Sequence, residues 1–235
     1  MEKHTFPIVK VIIPAFNEGE SIAKVIAEIP NFVNEIIVVD NSSTDDTALQ
    51  ASQAGAKVLH ESEKGYGYAC LRGMKYIEEL SQFIDIVVFM DGDYSDYPEK
   101  ISDIIAPIQY DDYDFVVGAR VKNLQEPGAL TPQQVFGNWL ATFLMRLFFN
   151  ATYTDLGPFR AIRYNKLLEM HMEDKTYGWT VEMQLKSLRQ NLRYKEVPVP
   201  YRKRIGTSKI SGTFTGTVLA GYKILSWIFK YSFFR

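Results

Sequence analysis

The chain has one cysteine, Cys70, which excludes an internal disulfide and fits a reducing compartment. It lacks the run of ~18 uninterrupted apolar residues that a membrane-spanning helix requires. It also lacks a basic excess. The 26 Lys and Arg residues face 28 Asp and Glu, the formal net charge is −2, and nothing global tracks nucleic-acid phosphates. No GxxxxGK[ST] stretch exists, which argues against a P-loop, and no DxDxDGxxxxxE loop offers a calcium cage. "KGYGYAC" is half a dinucleotide fingerprint, since Cys70 stands where its third glycine belongs. The opening "MEKHTFPIVKVIIPAF" is no signal peptide: its apolar stretch is short, is broken by Lys10 and has no small-residue cleavage pattern. It reads as a first buried strand.

What is present is an ordinary globular balance, 46% hydrophobic and 23% charged over 235 residues. Apolar runs at 8–15, 35–40, 56–61, 84–91 and 113–119 alternate with helical patterns at about 18–29, 44–54, 66–80 and 97–107. Strands without polar alternation, separated by helices, predict an α/β fold with a mainly parallel sheet covered on both faces. "VKNLQEPGALTP" (121–132) reads as a mobile loop. Beyond it come a helix at 133–149, a short strand in "GPFRAIR", helices near 165–170 and 179–190, a strand in "RYKEVPVPY" and a helix at about 213–230. In the 133–149 helix Gln134, Asn138, Thr142 and Arg146 recur every fourth residue, a narrow polar stripe on an otherwise apolar cylinder. One domain over 1–235 is expected, with a nucleotide-binding half at 8–120, an acceptor half at 121–212 and an amphipathic interface helix at 213–235.

In sheets of this kind ligands bind beyond the carboxyl ends of the strands. There lie "PAFNE", "DNSSTDD", "ESEKGYG", "DGDYSD" and "GAR". The fourth crowds Asp91, Asp93 and Asp96 behind an apolar strand. Crowded carboxylates raise one another's pKa unless a positive group sits among them. Asp91 and Asp93, two apart in an extended segment around Gly92, point the same way, and such a pair suits a hard divalent ion that takes its remaining ligands from water and substrate phosphates. A solvated loop is the plain alternative. Asp40, ending a buried strand, is placed either to accept from a base or ribose or to cap a helix. Lys64 and the glycines after it suit a phosphate at a helix start.

The ordered set "IPAFNE", "VVDNSSTDDT", "EKGYGYA", "VVFMDGDYSD" and "VVGAR" resembles the family 2 glycosyltransferases of GT-A fold. The later "DLGPFRAIR", "GWTVEMQLKS" and "VPVPYRKRIGTSKISG" are similar to its polyprenol-phosphate sugar synthases, among them dolichyl-phosphate mannose and glucose synthases. The resemblance implies that Pro14, Ala15, Asn17 and Glu18 line a nucleotide pocket, with Asp40 on the base and Lys64 and Gly65 nearby. It implies that Asp91 and Asp93, around Gly92, hold Mg²⁺ or Mn²⁺ against the donor diphosphate. Arg120, Arg160, Arg202, Arg204, Ser208 and Lys209 would face donor or acceptor phosphates. The pattern is broken at Asn41, where many members have a second Asp, at Gly157–Pro158 in place of Ser-Gly, and at Gln133–Gln134 in a loop that often carries arginines.

These roles imply a metal-dependent inverting transfer of a hexose from a UDP- or GDP-sugar to a polyprenyl phosphate. Such an acceptor is already anionic and needs positioning; a hydroxyl acceptor needs a base, and Asp155 and Glu182 are the candidates. The two apolar helices, with Trp139, Trp227 and the tail "YSFFR", suit the interface of a bilayer at its cytoplasmic side rather than a crossing of it, and a homodimer can underlie the docking. Core packing or a subunit interface is the bland reading of the same helices. A transferase acting on a saccharide or protein hydroxyl, a sugar-phosphate nucleotidyltransferase, whose Gly-rich N-terminal loop is absent, and a non-catalytic nucleotide-sugar binder are the competing classes.

Overall fold

A computed structural model describes residues 6–206 and 214–233. Seven strands form one sheet in the order β3-β2-β1-β4-β6-β5-β7. They are β1 (Val9–Ala15), β2 (Glu35–Asp40), β3 (Lys57–His60), β4 (Ile86–Phe89), β5 (Phe115–Gln125), β6 (Arg160–Arg163) and β7 (Tyr194–Tyr201). Only β6 runs against its neighbours β4 and β5. The expected mainly parallel α/β sheet is therefore found, with its one reversed strand in the "FRAIR" segment.

Alternation along the strands splits the core in two. Ile12, Ile37, Val39 and Phe89 face one side, where α3 (Tyr66–Glu79), α5 (Pro132–Phe149), α6 (Tyr164–Glu169), α7 (Trp179–Arg189) and α8 (Phe214–Phe233) contribute Cys70, Met145, Leu167, Val181 and Ile228. Val11, Ile13, Val38 and Val88 face the other, under α1 (Ile22–Glu28), α2 (Thr47–Gln53) and α4 (Ile101–Tyr110). Burial on both faces is why these strands read as continuous apolar runs.

Two features place the site. Strand β1 pairs with β2 as far as Ala15–Asp40 but with β4 only to Ile12–Phe89. Since β2 lies on one side of β1 and β4 on the other, chain order reverses there, and the strands part into a crevice at their carboxyl ends. Strand β5 does not stop at Ala119: it continues to Gln125, which pairs with Tyr201 across a register shift after Arg120. The segment expected as a loop is thus half strand, because β7 runs on beside it and supplies ladder partners.

Helix α3 enters the sheet beneath the segment between α6 and α7. Tyr68 N donates to Lys175 O at 3.1 Å. A Cβ on Gly65 would strike Lys175 O and one on Gly67 would strike Asp174 O, so the two glycines are used by close backbone approach. Gly67→Ala should lower stability by about 1–3 kcal/mol, the usual cost of overpacking. The urea unfolding midpoint measures it, and an unchanged midpoint would refute the contact.

Candidate active site

The crevice between β1 and β4 is walled by acids. Glu18 and Asp93 are buried at its rim and Asp96 lies beneath. A cavity of about 740 Å³ opens from Asp91, Asp93, Arg120 and Arg204 and runs outward between α5 and α8.

Turn chemistry arranges the acidic loop. Ser95 N donates to Asp93 Oδ1 at 2.9 Å, folding the DGDYS turn back on itself, and Ser21 Oγ donates to Gly92 O at 2.8 Å, tying the loop to the base of α1. Burial, then the charge of Asp93, pushes the Asp91 carboxyl up to about 7, with Arg204 opposing. Burial, then Asp91 and Asp93, pushes Asp96 well above the usual carboxylate range. The positive group that such a cluster requires is Arg204, whose guanidinium reaches Asp93 Oδ2 at 3.1 Å and Glu18 Oε1 at 2.9 Å.

The donor set fits a divalent ion. Asp91 Oδ1 is buried without a hydrogen-bond partner, an unmet acceptor beside a second carboxylate. Among the described residues no group of three or more His, Cys, Asp or Glu side chains is arranged to hold an ion unaided, so water and donor phosphates would complete the shell.

On the nucleotide side Pro14 and Ala15 end β1, and Asn17 sits in the left-handed region at φ 54°. Its Oδ1 accepts from Thr44 N at 2.8 Å while its own N–H donates to Ser43 Oγ at 2.9 Å, zipping the β1 and β2 loops together. Asp40 is buried at the end of β2; its Oδ1 accepts from Ser43 N at 3.2 Å, and His60 stands 3.3 Å away. Lys64 is exposed, its ammonium 5.1 Å from the centroid of Phe16. Asn41 is better suited here than an aspartate: its amide nitrogen donates to Glu61 O and Glu63 O while its oxygen accepts from Gly65 N at 2.7 Å, and a carboxylate cannot donate.

Several residues expected at phosphates or as bases are engaged elsewhere. Arg160 is fully buried in β6; its guanidinium donates to the carbonyls of Thr180, Leu156 and Gly157, so it holds the cavity wall from behind. Arg202 donates to Tyr94 O at 2.6 Å and to Glu28 Oε2 at 2.7 Å, and stacks on Tyr94 and Tyr97. Asp155 grips Arg120: its Oδ2 accepts from the backbone N at 2.9 Å and Nε at 2.8 Å, and its Oδ1 from Nη2 at 2.7 Å. Burial works against the charge on Arg120, but Asp155 more than offsets it. Glu182 is fully buried; its oxygens accept from Glu173 N and Asp174 N, each at 2.8 Å, and Lys186 lies at the same distance. Neither acid lines the cavity. Ser208 and Lys209 lie outside the described residues.

The cavity also recruits Tyr66, Tyr177, Trp179 and Tyr201. Trp179 packs edge-on against Phe89 at 5.7 Å. Of these Tyr66, Tyr177 and Tyr201 carry no signal of their own in the sequence: Tyr177 lies just before the "GWTVEMQLKS" motif, and beside Tyr66 and Tyr201 the glycines and cations of their motifs dominate.

A β1/β4 crevice holding an aspartate pair, in a mixed sheet with one reversed strand, is the arrangement that the resemblance to GT-A glycosyltransferases implies. The family model for glycosyl transferase family 2 matches residues 10–171, and the chain belongs to that family. It is 30% identical to the undecaprenyl-phosphate mannosyltransferase of Micrococcus luteus, over 88% of this chain and 89% of that protein. It is also 30% identical to a UDP-N-acetylglucosamine–dolichyl-phosphate N-acetylglucosaminyltransferase of Methanococcus voltae, over 92% of this chain. Its fold superposes with a TM-score of 0.75 and 21% identity on glucosyl-3-phosphoglycerate synthase of Mycobacterium tuberculosis, solved with Mn²⁺ and UDP, covering 97% of this chain and 80% of that one. The chain is thus a glycosyltransferase close to the polyprenol-phosphate sugar synthases.

A folded-state pKa raised above the ordinary value means that charging Asp91 costs stability. Asp91 should cost the metal-free protein stability as pH rises from about 4 to about 7, and its own contribution should hold level above. Asp91→Asn should flatten that slope, raise the melting temperature at pH 8, and abolish the further stabilisation given by Mn²⁺ with UDP. A variant no more stable than wild type at pH 8 would contradict the repulsion.

Proposed function

We propose that this enzyme transfers a hexose from a UDP- or GDP-sugar to a polyprenyl phosphate, with inversion at the anomeric carbon. The observation that carries the acceptor is the make-up of the cavity. Among the described residues, no carboxylate other than Asp91 and Asp93 and no histidine lines it, while Arg120 and Arg204 enter it. The base candidates Asp155 and Glu182 are spent on a guanidinium and on backbone amides. A hydroxyl nucleophile would need a base; a phosphate oxygen is already charged at neutral pH. The named relatives that act on undecaprenyl and dolichyl phosphates support the same reading.

Asp91 and Asp93 would hold Mg²⁺ or Mn²⁺. When bound, the ion supplies Lewis-acid stabilisation of the charge that develops on the departing nucleoside diphosphate. Asp155 keeps Arg120 charged and aimed by a two-pronged grip, so the cation is preorganised for an anion in the cavity. Asn17, Asp40 and Asn41 fix the loops that take the nucleoside. Tyr66 and Trp179 exclude water from one wall.

The interface helices support a peripheral seat at the cytoplasmic face of a membrane, reached as a monomer or a homodimer. No described helix is long and apolar enough to cross one. Helix α5 buries Ala141 and Met145, and part of its polar stripe also faces the body: Asn138 donates to Thr154 O at 2.9 Å and accepts from Leu156 N at 2.8 Å, and Thr142 is buried, while Arg146 is exposed. Its apolar stripe is open, with Phe136 61%, Trp139 57%, Phe143 48% and Leu147 63% exposed. On α8 Val218, Leu219, Tyr222 and Phe229 continue the same open surface. Patches of this kind mark interaction sites, and their length and aromatic content suit a bilayer interface.

Incubation with polyprenyl phosphate, Mn²⁺ and a panel of nucleotide sugars should yield a glycolipid with one donor, and excess EDTA should abolish it. Arg120→Ala should lower kcat/KM about 100-fold or more. Glu182→Gln should cost stability and leave the shape of the pH profile intact. Transfer to a saccharide hydroxyl, with no glycolipid from any donor, would sink the acceptor reading.

The double variant Trp139→Ser, Phe143→Ser should lose co-sedimentation with vesicles while Mn²⁺·UDP still stabilises the soluble protein. Unchanged sedimentation would remove α5 from the interface.

A further inference from the structure

Two aromatic side chains of the cavity wall carry polar atoms that the fold itself leaves unused. Trp179 begins α7, is 1% exposed and packs edge-on against Phe89, so the direction of its indole N–H is fixed. Tyr66 begins α3 and has a buried hydroxyl. Both residues line the cavity with Asp91, and among the described residues neither Trp179 Nε1 nor Tyr66 Oη finds a hydrogen-bond partner. A buried donor without a partner keeps its whole desolvation penalty, so two in one cavity call for a ligand that accepts from them. Burial, then the charge of Asp91, raises the Tyr66 hydroxyl well above its ordinary range, so it holds its proton and stays a donor. The charge of Arg160 reaches the same hydroxyl. Arg160 begins β6, which pairs with β4 and not with β1, so Tyr66 Oη is turned to the β4–β6 side of the crevice. Asn17 and Asp40, which fix the nucleoside loops, stand at or just past the ends of β1 and β2 and do not line the cavity.

We propose that Tyr66 Oη and Trp179 Nε1 select the transferred hexose by donating to its hydroxyls. This deepens the proposed function and rests on it. Charge sorts the candidate ligands. Among the described residues the cations that line the cavity are Arg120 and Arg204, and the anionic groups of donor and acceptor belong with them and with the metal. A lipid tail accepts no hydrogen bond, and the base and ribose belong at the loops after β1 and β2. The sugar is the part that is neutral, rich in acceptors and tethered through its phosphate beside Asp91 and Asp93. Neutral donors suit it. A substrate hydroxyl that is merely enclosed can be removed at small cost. One that satisfies a buried donor cannot, because the analogue leaves that donor unpaired again, and sites of this kind discriminate by ~10⁴-fold or more.

The test needs no acceptor. The full chain is titrated calorimetrically with UDP-glucose, UDP-N-acetylglucosamine and GDP-mannose, each with Mn²⁺, and with UDP and GDP as sugar-free references. The nucleotide sugar that gains most over its reference is then compared with its monodeoxy analogues. Tyr66→Phe and Trp179→Phe each remove one donor and keep an aromatic ring. Each should weaken that nucleotide sugar about tenfold or more while its nucleoside diphosphate stays within about threefold of wild type. One monodeoxy donor should bind wild type about tenfold more weakly than its parent, yet bind Tyr66→Phe as well as the parent does. Equal weakening of UDP or GDP assigns the hydroxyl to the diphosphate and overturns the proposal. Wild-type affinity for the nucleotide sugar in Tyr66→Phe overturns it too, and that variant decides alone if Trp179→Phe does not fold. So does a full set of deoxy penalties that persists in Tyr66→Phe, or a sugar that adds nothing to the affinity of wild type for any of the three donors. A wild type that passes these titrations but makes no glycolipid from polyprenyl phosphate strikes the acceptor reading and leaves the sugar contacts supported.

Discussion

Repulsion among carboxylates is the constraint on which this site is built. Glu18, Asp91, Asp93 and Asp96 converge at the crevice, and three of them are buried. Unscreened negative charges a few ångströms apart in a partly desolvated site repel by several kcal/mol, so the fold must deliver a cation to them. It delivers Arg204 on the strap that follows β7. That strap is fastened before it arrives: Arg202 N donates to Ser95 O at 3.0 Å, Ile205 N to Asp93 O at 2.9 Å, and the Arg202 side chain is locked against Glu28 and Tyr94. Arg202 acts as the rivet that brings its neighbour into the acidic cluster. The Arg204 side chain of this pair keeps 27% of its surface in solvent, so the contact with Asp93 is only partly desolvated.

A second constraint opposes ordinary globular logic. Exposed apolar area costs about 25 cal/mol per Å², so a helix normally turns its polar face to water. Helix α5 buries Ala141 and Met145 but leaves Phe136, Trp139, Phe143 and Leu147 open, and the local chemistry shows why this is stable in the free chain. Thr131 and Gln134 close a capping box at its start, and Asn138 makes two hydrogen bonds to the 154–156 segment, so the inward polar groups are satisfied. The outward rings also shelter one another, with Trp139 stacked on Phe143 at 5.8 Å and tilted on Phe136 at 5.9 Å.

Much of the architecture was legible because strand and helix periods are written in side-chain spacing. The seven strands and eight α-helices described fall on the segments that the apolar patterns marked, save that β5 runs on into an expected loop, and the acidic pair stands at the carboxyl end of β4 as its position after "IVVF" required. The roles of individual cations were less legible. A sequence shows that Arg160, Arg202 and Arg204 carry the same fork of donors, but not which fork meets carbonyls, which meets a carboxylate inside the fold, and which meets a cavity. Asp155 and Glu182 are likewise indistinguishable from free bases until their partners, 35 and 9 or 8 residues away, are seen. The continuation of β5 to Gln125 depends on a strand some 75 residues later and leaves little local trace. The glycines after Lys64 were read for a ligand when their first use is contact with the chain's own backbone.

That contact gives the 173–178 segment a central place. From within, Glu182 accepts from its amides at 173 and 174. From the donor side, Gly65 and Gly67 let α3 press against its carbonyls. From the interface, Asp174 Oδ2 accepts from Trp227 Nε1 at 2.6 Å and pairs with Lys223 at 3.1 Å, while Asp174 Oδ1 takes the amides of Thr176 and Gly178. Thr176 and Tyr177, between these anchors, line the cavity. A single carboxylate therefore joins the wall of the cavity to the helix that exposes Val218, Leu219, Tyr222 and Phe229. Because Asp174 is almost fully buried, removing Trp227 and Lys223 together would leave its Oδ2 an unpaired acceptor in the core, a penalty of order 1–3 kcal/mol. Helix α8 is consequently part of the cavity's construction rather than an appendage, since its Lys223 and Trp227 hold the segment that lines it.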